Sequence, residues 1–252
     1  MIYLVEHFYS IQGEGKYVGS PSLFLRFGGC NMKCEGFACS ERADDGVEVI
    51  GCDTVYAVNK EHFSHNWVPI TQTTELLNIL ELYELPNAVD IVMTGGEPLI
   101  YANDPIFVTF LERLVERGHR VTFETNGSLN IDFEKHGVYR ECFFALSIKL
   151  SNSNEPLSKR VRGDVIYNIA TNAKDAFFKF SIDAESINLA LEEEINEITL
   201  HSPKTKVYCM PLGGNREEVE ANTEPLIEFC KTKGYNFSDR LHIRIWDVNK
   251  GV

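Results

Sequence analysis

The chain has 252 residues, 44% of them hydrophobic and 24% charged, with a formal net charge of −13 and a sequence pI near 5.0. These values suit one large globular unit with a full core. The acidic balance argues against a primary role on nucleic acid, whose phosphates are met by clustered Lys and Arg. No apolar run reaches about 18 residues, so no membrane span is expected. Met1 to His7 shows no basic segment ahead of a long apolar one, so no secretory signal is read there. The chain is expected to work in the cytosol, where seven cysteines point to metal binding or thiol chemistry rather than to disulfides.

In chain order, Ile2 to Val5 and Ser22 to Phe27 are apolar runs bounded by turn residues and predict strands. Phe8 to Gly15, between them, predicts a connection. Its glycines suit either an ordinary turn or a loop whose backbone approaches a ligand. Arg26 to Thr54 then holds Cys30, Cys34, Cys39 and Cys52, and residues 35–51 lack hydrophobic periodicity and read as a loop. Thr73 to Tyr83 predicts a helix with Leu76, Ile79, Leu80 and Tyr83 on one face, stopped by Pro86 and Asn87. Val89 to Met93 predicts a strand ending in Thr94-Gly95-Gly96-Glu97-Pro98. Asp104 and Pro105 open a helix that Gly118 closes. Arg120 to Phe123 predicts a strand ending in Glu124-Thr125-Asn126-Gly127-Ser128, and Cys142 to Leu146 one ending in Ser147-Ile148-Lys149-Leu150-Ser151.

The alternation continues with a helix over Val165 to Thr171, a strand over Ala176 to Ile182 and an acidic helix over Ser186 to Ile198. Lys206 to Met210 predicts a strand running into Pro211-Leu212-Gly213-Gly214. A helix follows over roughly Thr223 to Lys233, with Pro225 in its first turn. Leu241 to Trp246 predicts a final strand. Cys142, Cys209 and Cys230 lie in apolar segments and read as small buried hydrophobes. Strand, polar turn and helix, repeated about six times, indicate an α/β fold with a mostly parallel sheet, open or curled into a barrel. In such folds ligands bind at the carboxyl ends of the strands, so the cysteine loop and four polar turns gather on one face. No linker or repeat splits the chain, which reads as a single domain over 1–252.

Several thiols on one loop converge on a metal or a cluster. A structural zinc site, with His62 and His65 as further ligands, and an iron–sulfur cluster with three thiolates both fit the spacing. The Gly-Gly-Glu-Pro turn bears on the choice. With Cys30-Asn31-x-x-Cys34 before it and Glu124-Thr-Asn-Gly127 after it, the chain resembles the radical S-adenosylmethionine superfamily. Within it the chain is similar to the 7-carboxy-7-deazaguanine synthase family along essentially its whole length. That resemblance rests on Phe8-Tyr9-Ser10-x-Gln12-Gly13-Glu14-Gly15, Arg26-Phe27-x-Gly29-Cys30-Asn31, Cys52-Asp53-Thr54, Thr94 to Pro98, Glu124 to Ser128 and the late His242.

The resemblance implies a partial (β/α) barrel of the radical S-adenosylmethionine type. It implies a [4Fe–4S] cluster on Cys30, Cys34 and Cys52, whose open iron takes S-adenosylmethionine and yields a 5′-deoxyadenosyl radical. The radical would start the ring contraction of 6-carboxy-5,6,7,8-tetrahydropterin to 7-carboxy-7-deazaguanine, with loss of ammonia and with Mg2+ on Thr54. Substrate contacts fall on Ile11, Gln12, Gly13, Glu14, Arg26, Thr94, His242 and Val252. Arg26 suits a substrate carboxylate because a guanidinium pairs with it bidentately. Cofactor contacts fall on Gly95, Gly96, Glu97, Glu124, Asn126, Ser147, Ile148, Lys149 and Met210-Pro211-Leu212-Gly213. An electron donor such as flavodoxin or ferredoxin and a homodimer are also implied, and neither nucleic acid nor membrane is a partner. The chain departs from the usual Cys-x3-Cys-x2-Cys, so 35–51 reads as an insertion before the third ligand and Cys39 as the spare thiol. The family's Ser-Pro-Lys is Ser147-Ile148-Lys149 here. The alternatives are another radical S-adenosylmethionine enzyme, such as a glycyl-radical activating enzyme, or a zinc-binding module.

Overall fold

The computed structural model describes residues 1–85, 88–249 and 251. Its strands are β1 (Ile2–Ile11), β2 (Pro21–Phe27), β3 (Cys39–Arg42), β4 (Glu48–Gly51), β5 (Val68–Ile70), β6 (Asp90–Gly95), β7 (Arg120–Thr125), β8 (Phe143–Leu146), β9 (Asp175–Ile182), β10 (Lys206–Pro211) and β11 (Asn236–Phe237). Nine of them form one sheet in the order β11-β10-β9-β8-β7-β6-β2-β1-β5. From β2 through β6 to β11 all neighbours run parallel, and β1 pairs antiparallel with both β2 and β5. The sheet keeps two edges, β5 and β11, so it is a partial barrel, as expected.

Alternation along the strands sorts the two faces. Val121 and Phe123, Phe144 and Leu146, and Phe178, Phe180 and Ile182 point into the main core, beneath helices Thr73–Glu81, Pro105–Glu116, Gly163–Asn172, Leu189–Thr199 and Arg216–Lys233. The other face is mixed and carries Arg26, Thr94, Glu124 and Lys179 together with Phe24, Phe143 and Phe177. Segment 12–20 lies across this second face. Tyr17 packs edge-on against Phe143 and Phe177, and its hydroxyl donates to Asp175 at 2.6 Å. Arg120 stacks over the Tyr17 ring at 4.1 Å while donating to Asp90 at 3.0 Å. The segment therefore plugs the hollow of the curved sheet from below and leaves the strand C-termini open above.

Four expectations change, and two short strands, β5 and β11, are new. Phe8 to Ile11 belongs to β1, because Phe8 stacks on Phe24 of β2 with ring centroids 4.9 Å apart, and only Gln12 onward is loop. Residues 35–51 fold into the β3–β4 hairpin rather than a structureless loop, although the strands are too short and polar to show in the sequence. The short β5 was not read at all. The helix expected from Thr223 begins at Arg216, with Asn215 as its cap, so Pro225 sits well inside it. Pro225 cannot donate to the Ala221 carbonyl, at a cost of about 3 kcal/mol, but Val219, Leu226, Phe229 and Cys230 are buried along one face and offset it. Leu241–Trp246 is a helix, not a strand. The edge of β10 is already taken by β11, and Leu241 donates to the Gly13 carbonyl at 2.9 Å instead of to a sheet. Pro86, Asn87 and Val252 lie outside the described residues.

Candidate active site

β2 and β6 run parallel with Arg26 beside Thr94 and Phe27 beside Gly95, and the pairing continues past both strand ends. Gly96 donates to the Phe27 carbonyl at 3.2 Å and Glu97 to the Gly29 carbonyl at 2.8 Å. A Cβ on Gly95, where φ is +144°, would meet the Phe27 carbonyl oxygen at 2.0 Å, and one on Gly96 the Gly29 oxygen at 2.3 Å. Both glycines are thus needed so that the turn after β6 can touch the backbone leading to Cys30. Glu97 is 0% exposed. One of its oxygens accepts from Leu99 N at 3.0 Å and Thr125 Oγ1 at 2.8 Å, the other from Asn126 N at 2.7 Å. Its carboxylate welds the β6 turn to the β7 turn and has no bare face toward a ligand. Burial pushes its pKa up, against those donors.

The thiols sit above this weld. Burial, with a smaller push from Glu97, raises the Cys30 thiol to about 12, and burial raises Cys34 to about 11. Cys30 feels the charge of Cys34 and of Cys52, and Cys34 that of Cys52. Burial raises Cys39, with Asp53 and Cys52 adding to the rise, and Cys39 pairs across β3–β4 with Gly51, the residue before Cys52. Neutral thiols crowded this way become thiolates only when a cation joins them, which is the behaviour of a cluster site. Among the described residues no three His, Cys, Asp or Glu side chains converge tightly enough for one metal ion. A cubane asks less, since its thiolates bind different irons. Met32 N points at Cys30 Sγ from 3.4 Å, a contact of the kind that tunes cluster potential.

Motif residues Asn31, Asn126 and Ser128, together with Glu155, which the sequence did not single out, hold this loop in place. Asn31 accepts from Asn126 Nδ2 at 2.9 Å and donates to Ser128 Oγ at 2.8 Å. Glu155, from the segment after β8, accepts from Cys34 N at 3.0 Å and from Lys33 N at 2.5 Å, and receives Lys159 at 2.8 Å. Cys34 itself has φ +52°, a left-handed conformation that Glu155 pins at its amide. Glu155→Ala is expected to lower iron retention several-fold on dilution into a chelator while leaving the fold intact; unchanged iron loss would remove Glu155 from this role. No short motif marks Glu155, since it lies 121 residues from Cys34 in sequence.

A second cluster of side chains fills the cup beside the thiols. Arg26 donates through Nε to Glu6 Oε1 at 2.6 Å, and the Tyr56 hydroxyl donates to the same oxygen at 2.8 Å. Gln12, 5% exposed, reaches Glu124 Oε1 at 3.4 Å and accepts from Glu14 N at 3.1 Å. Glu14 takes Lys179 at 3.0 Å on one oxygen and Arg240 at 2.9 Å on the other, with His242 Nε2 3.8 Å away. Lys179 also donates to Glu124. A Cβ on Gly13 would lie 2.0 Å from His242 Nδ1, so Gly13 and His242 are in direct contact. Burial lowers the His242 pKa, with Arg240 and Lys179 outdoing part of the pull from Glu14, so its imidazole is neutral at neutral pH. Burial raises Glu14, but Lys179, Arg240 and His242 outweigh it and hold the carboxyl well below its usual range.

The other expected residues divide between these regions. Glu124 belongs with Gln12, Glu14 and Lys179 rather than with Asn126, which faces the cysteine loop. Ile148 is packed in the core, so Ser147 to Lys149 can offer a ligand their backbone and outer side chains only. Leu212 accepts from Asn222 at 2.7 Å and the Gly213 carbonyl from Arg240, which fixes the turn after β10 beside the cup. Thr54 Oγ1 lies 3.4 Å from Cys52 Sγ, and Ile11 ends β1 just before the loop.

Comparison with known proteins agrees with this geometry. The family described as a 4Fe-4S single cluster domain matches residues 11–170. A 7-carboxy-7-deazaguanine synthase of Hyperthermus butylicus is 31% identical over 96% of this chain and 92% of its own. That of Aquifex aeolicus is 32% identical over 87% and 82%, and that of Halobacterium salinarum 27% over 96% and 89%. The crystal structure of QueE from Escherichia coli, 19% identical, superposes with a TM-score of 0.66 over 96% of this chain and 94% of that one, and so shares its fold. With its cluster-bearing region matched and its whole length aligned to these synthases, the chain belongs to the 7-carboxy-7-deazaguanine synthase family of radical S-adenosylmethionine enzymes.

Proposed function

We propose that the chain forms 7-carboxy-7-deazaguanine from 6-carboxy-5,6,7,8-tetrahydropterin, in the route to queuosine and related 7-deazapurines. The observation that carries the reading is the adjacency of two sites on one rim: the cysteine loop after β2, fixed to the β6 turn by the Glu97 N to Gly29 carbonyl hydrogen bond, and a polar cup built on Gln12, Glu14, Arg26 and Glu124. Cys30, Cys34 and Cys52 fit a [4Fe–4S] cluster, and the backbone of Thr94 to Gly96 fits the ammonium of S-adenosylmethionine. Met210 to Gly213 and Ser147 to Lys149 border its nucleoside half. When bound, the reduced cluster and S-adenosylmethionine supply a carbon radical able to take hydrogen from the substrate. Residues 35–51 act as an inserted hairpin within a single domain.

The chain's own residues bind and orient the pterin. Arg26, already held through Nε by Glu6, keeps its two terminal nitrogens for the substrate carboxylate. Glu14 is ionised throughout any working pH and accepts from ring N–H groups. His242, neutral and packed on Gly13, offers an imidazole nitrogen to the same ligand. The Thr54 hydroxyl suits Mg2+, an ion that keeps several waters and takes the rest of its oxygens from substrate. The reading further includes an external one-electron donor, a flavodoxin or ferredoxin, and a homodimer. Among the described residues no helix is long and apolar enough to cross a membrane.

Anaerobic protein should hold iron and sulfide in equal amounts, at about four each per chain. With reductant, S-adenosylmethionine and the carboxytetrahydropterin it should release 7-carboxy-7-deazaguanine and ammonia. Cleavage of S-adenosylmethionine without that product would point to a different substrate, and zinc without iron would end the reading.

A further inference from the structure

The family reading leaves one buried cation without a task. Lys179, on β9, is 6% exposed and lies between two carboxylates from distant parts of the chain. Its Nζ donates to Glu14 Oε2 at 3.0 Å and also to Glu124 Oε2. The remaining oxygen of Glu124 takes Gln12, and that of Glu14 takes Arg240. Gly15, at φ +72°, folds the loop down onto Phe177 and onto the Lys179 side chain, leaving 3.5 Å between Lys179 Cδ and where a Cβ would stand. Around Lys179 the cup thus holds two acids, Glu14 and Glu124, and two bases, Lys179 and Arg240, with His242 as a neutral neighbour. Lys149 acts on Glu124 from β8's end, and Asp53 on Arg240 from the cysteine loop.

We propose that Lys179 is a positioning residue for the pterin site: its ammonium, clamped between Glu14 and Glu124, holds both carboxylates as acceptors for the amino-pyrimidinone half of the substrate and keeps the cup electrically neutral. The inference rests on the substrate reading given above. An aminopyrimidinone presents adjacent N–H donors, and carboxylates meet such donors only when ionised. Two carboxylates this close do not stay ionised together unless a cation stands between them. Of these two carboxylates Arg240 pairs with Glu14, while Glu124 pairs with Lys179. The substrate is itself an anion, and a cup with one uncompensated negative charge would repel it.

Electrostatics agrees with the geometry. Burial alone would lower the Lys179 pKa, but Glu124 and Glu14 raise it above its usual value. Burial raises Glu124, with only Lys179 as its principal counterweight, so Glu124 is the acid that removal of Lys179 would neutralise first.

The test is steady-state turnover of the holoenzyme across pH for wild type, Lys179→Met and Lys179→Arg. Lys179→Met should raise KM for the pterin about tenfold or more, with a smaller change in kcat. Its kcat/KM should begin to fall at higher pH on acidification, because carboxyls deprived of their cation protonate sooner; a move of about one pH unit is expected. Lys179→Arg should keep the acid limb where wild type has it, whatever its KM. If Lys179→Met fails to fold, Lys179→Gln, which keeps a donor but no charge, takes its place. Cluster content and uncoupled cleavage of S-adenosylmethionine should not change in any variant. An acid limb common to all variants, or an unchanged KM in Lys179→Met, overturns the proposal. No product from the wild-type enzyme would instead overturn the substrate reading.

Discussion

Alanine at Cys30, Cys34 or Cys52 is expected to strip the protein of most of its iron and sulfide and abolish turnover, while Cys39→Ala keeps both. Cys30 responds to the charge of Cys34 and Cys52, Cys34 to that of Cys52, and burial pushes both Cys30 and Cys34 well above a free cysteine. Removing any one leaves a cubane with two protein ligands and opens a second iron to solvent. Cys39 lies across β3–β4 from Gly51, beside Cys52. Anaerobic reconstitution followed by iron and sulfide counts reads the result. A full cluster in Cys34→Ala would overturn the assignment, and one in Cys52→Ala would mean that Cys39 takes over.

Arg26→Met should lower kcat/KM for the pterin by about 10²–10³, some 3–4 kcal/mol of transition-state binding. Two effects add. The substrate carboxylate loses a planar partner, and Glu6 is left in a half-buried site with only the Tyr56 hydroxyl, so a negative charge now faces an anionic substrate. Arg26→Lys should recover little, because one ammonium cannot hold Glu6 and a second carboxylate side by side. Steady-state kinetics at matched cluster content tests this. A loss of only a few-fold would show that the carboxylate is bound elsewhere.

The cysteines, the Gly-Gly-Glu-Pro turn and the Gln-Gly-Glu-Gly loop were all readable, and so was the alternation that builds a parallel sheet. The reason given by local chemistry was at times incomplete. Gly95 and Gly96 looked like room for a ligand, yet they first make room for the backbone of Phe27 to Cys30. Glu97 looked like a bare charge, yet its oxygens are spent on Leu99, Thr125 and Asn126. Leu241–Trp246 looked like a strand because it alternates, but β11 takes the edge of β10 and the segment closes as a helix with Leu241 donating to the Gly13 carbonyl.

By itself the sequence determined the fold class and the family and nominated candidate site residues, because strand and helix periodicity and ligand-bearing turns are local properties. Only the tertiary structure decided which groups support them: Glu6 behind Arg26, Glu155 beneath Cys34, Asn31 against Asn126, and Lys179 between Glu14 and Glu124. These pairings join strands and loops separated by 20 to 165 residues, and they arise from strand register and sheet order, which no local pattern encodes.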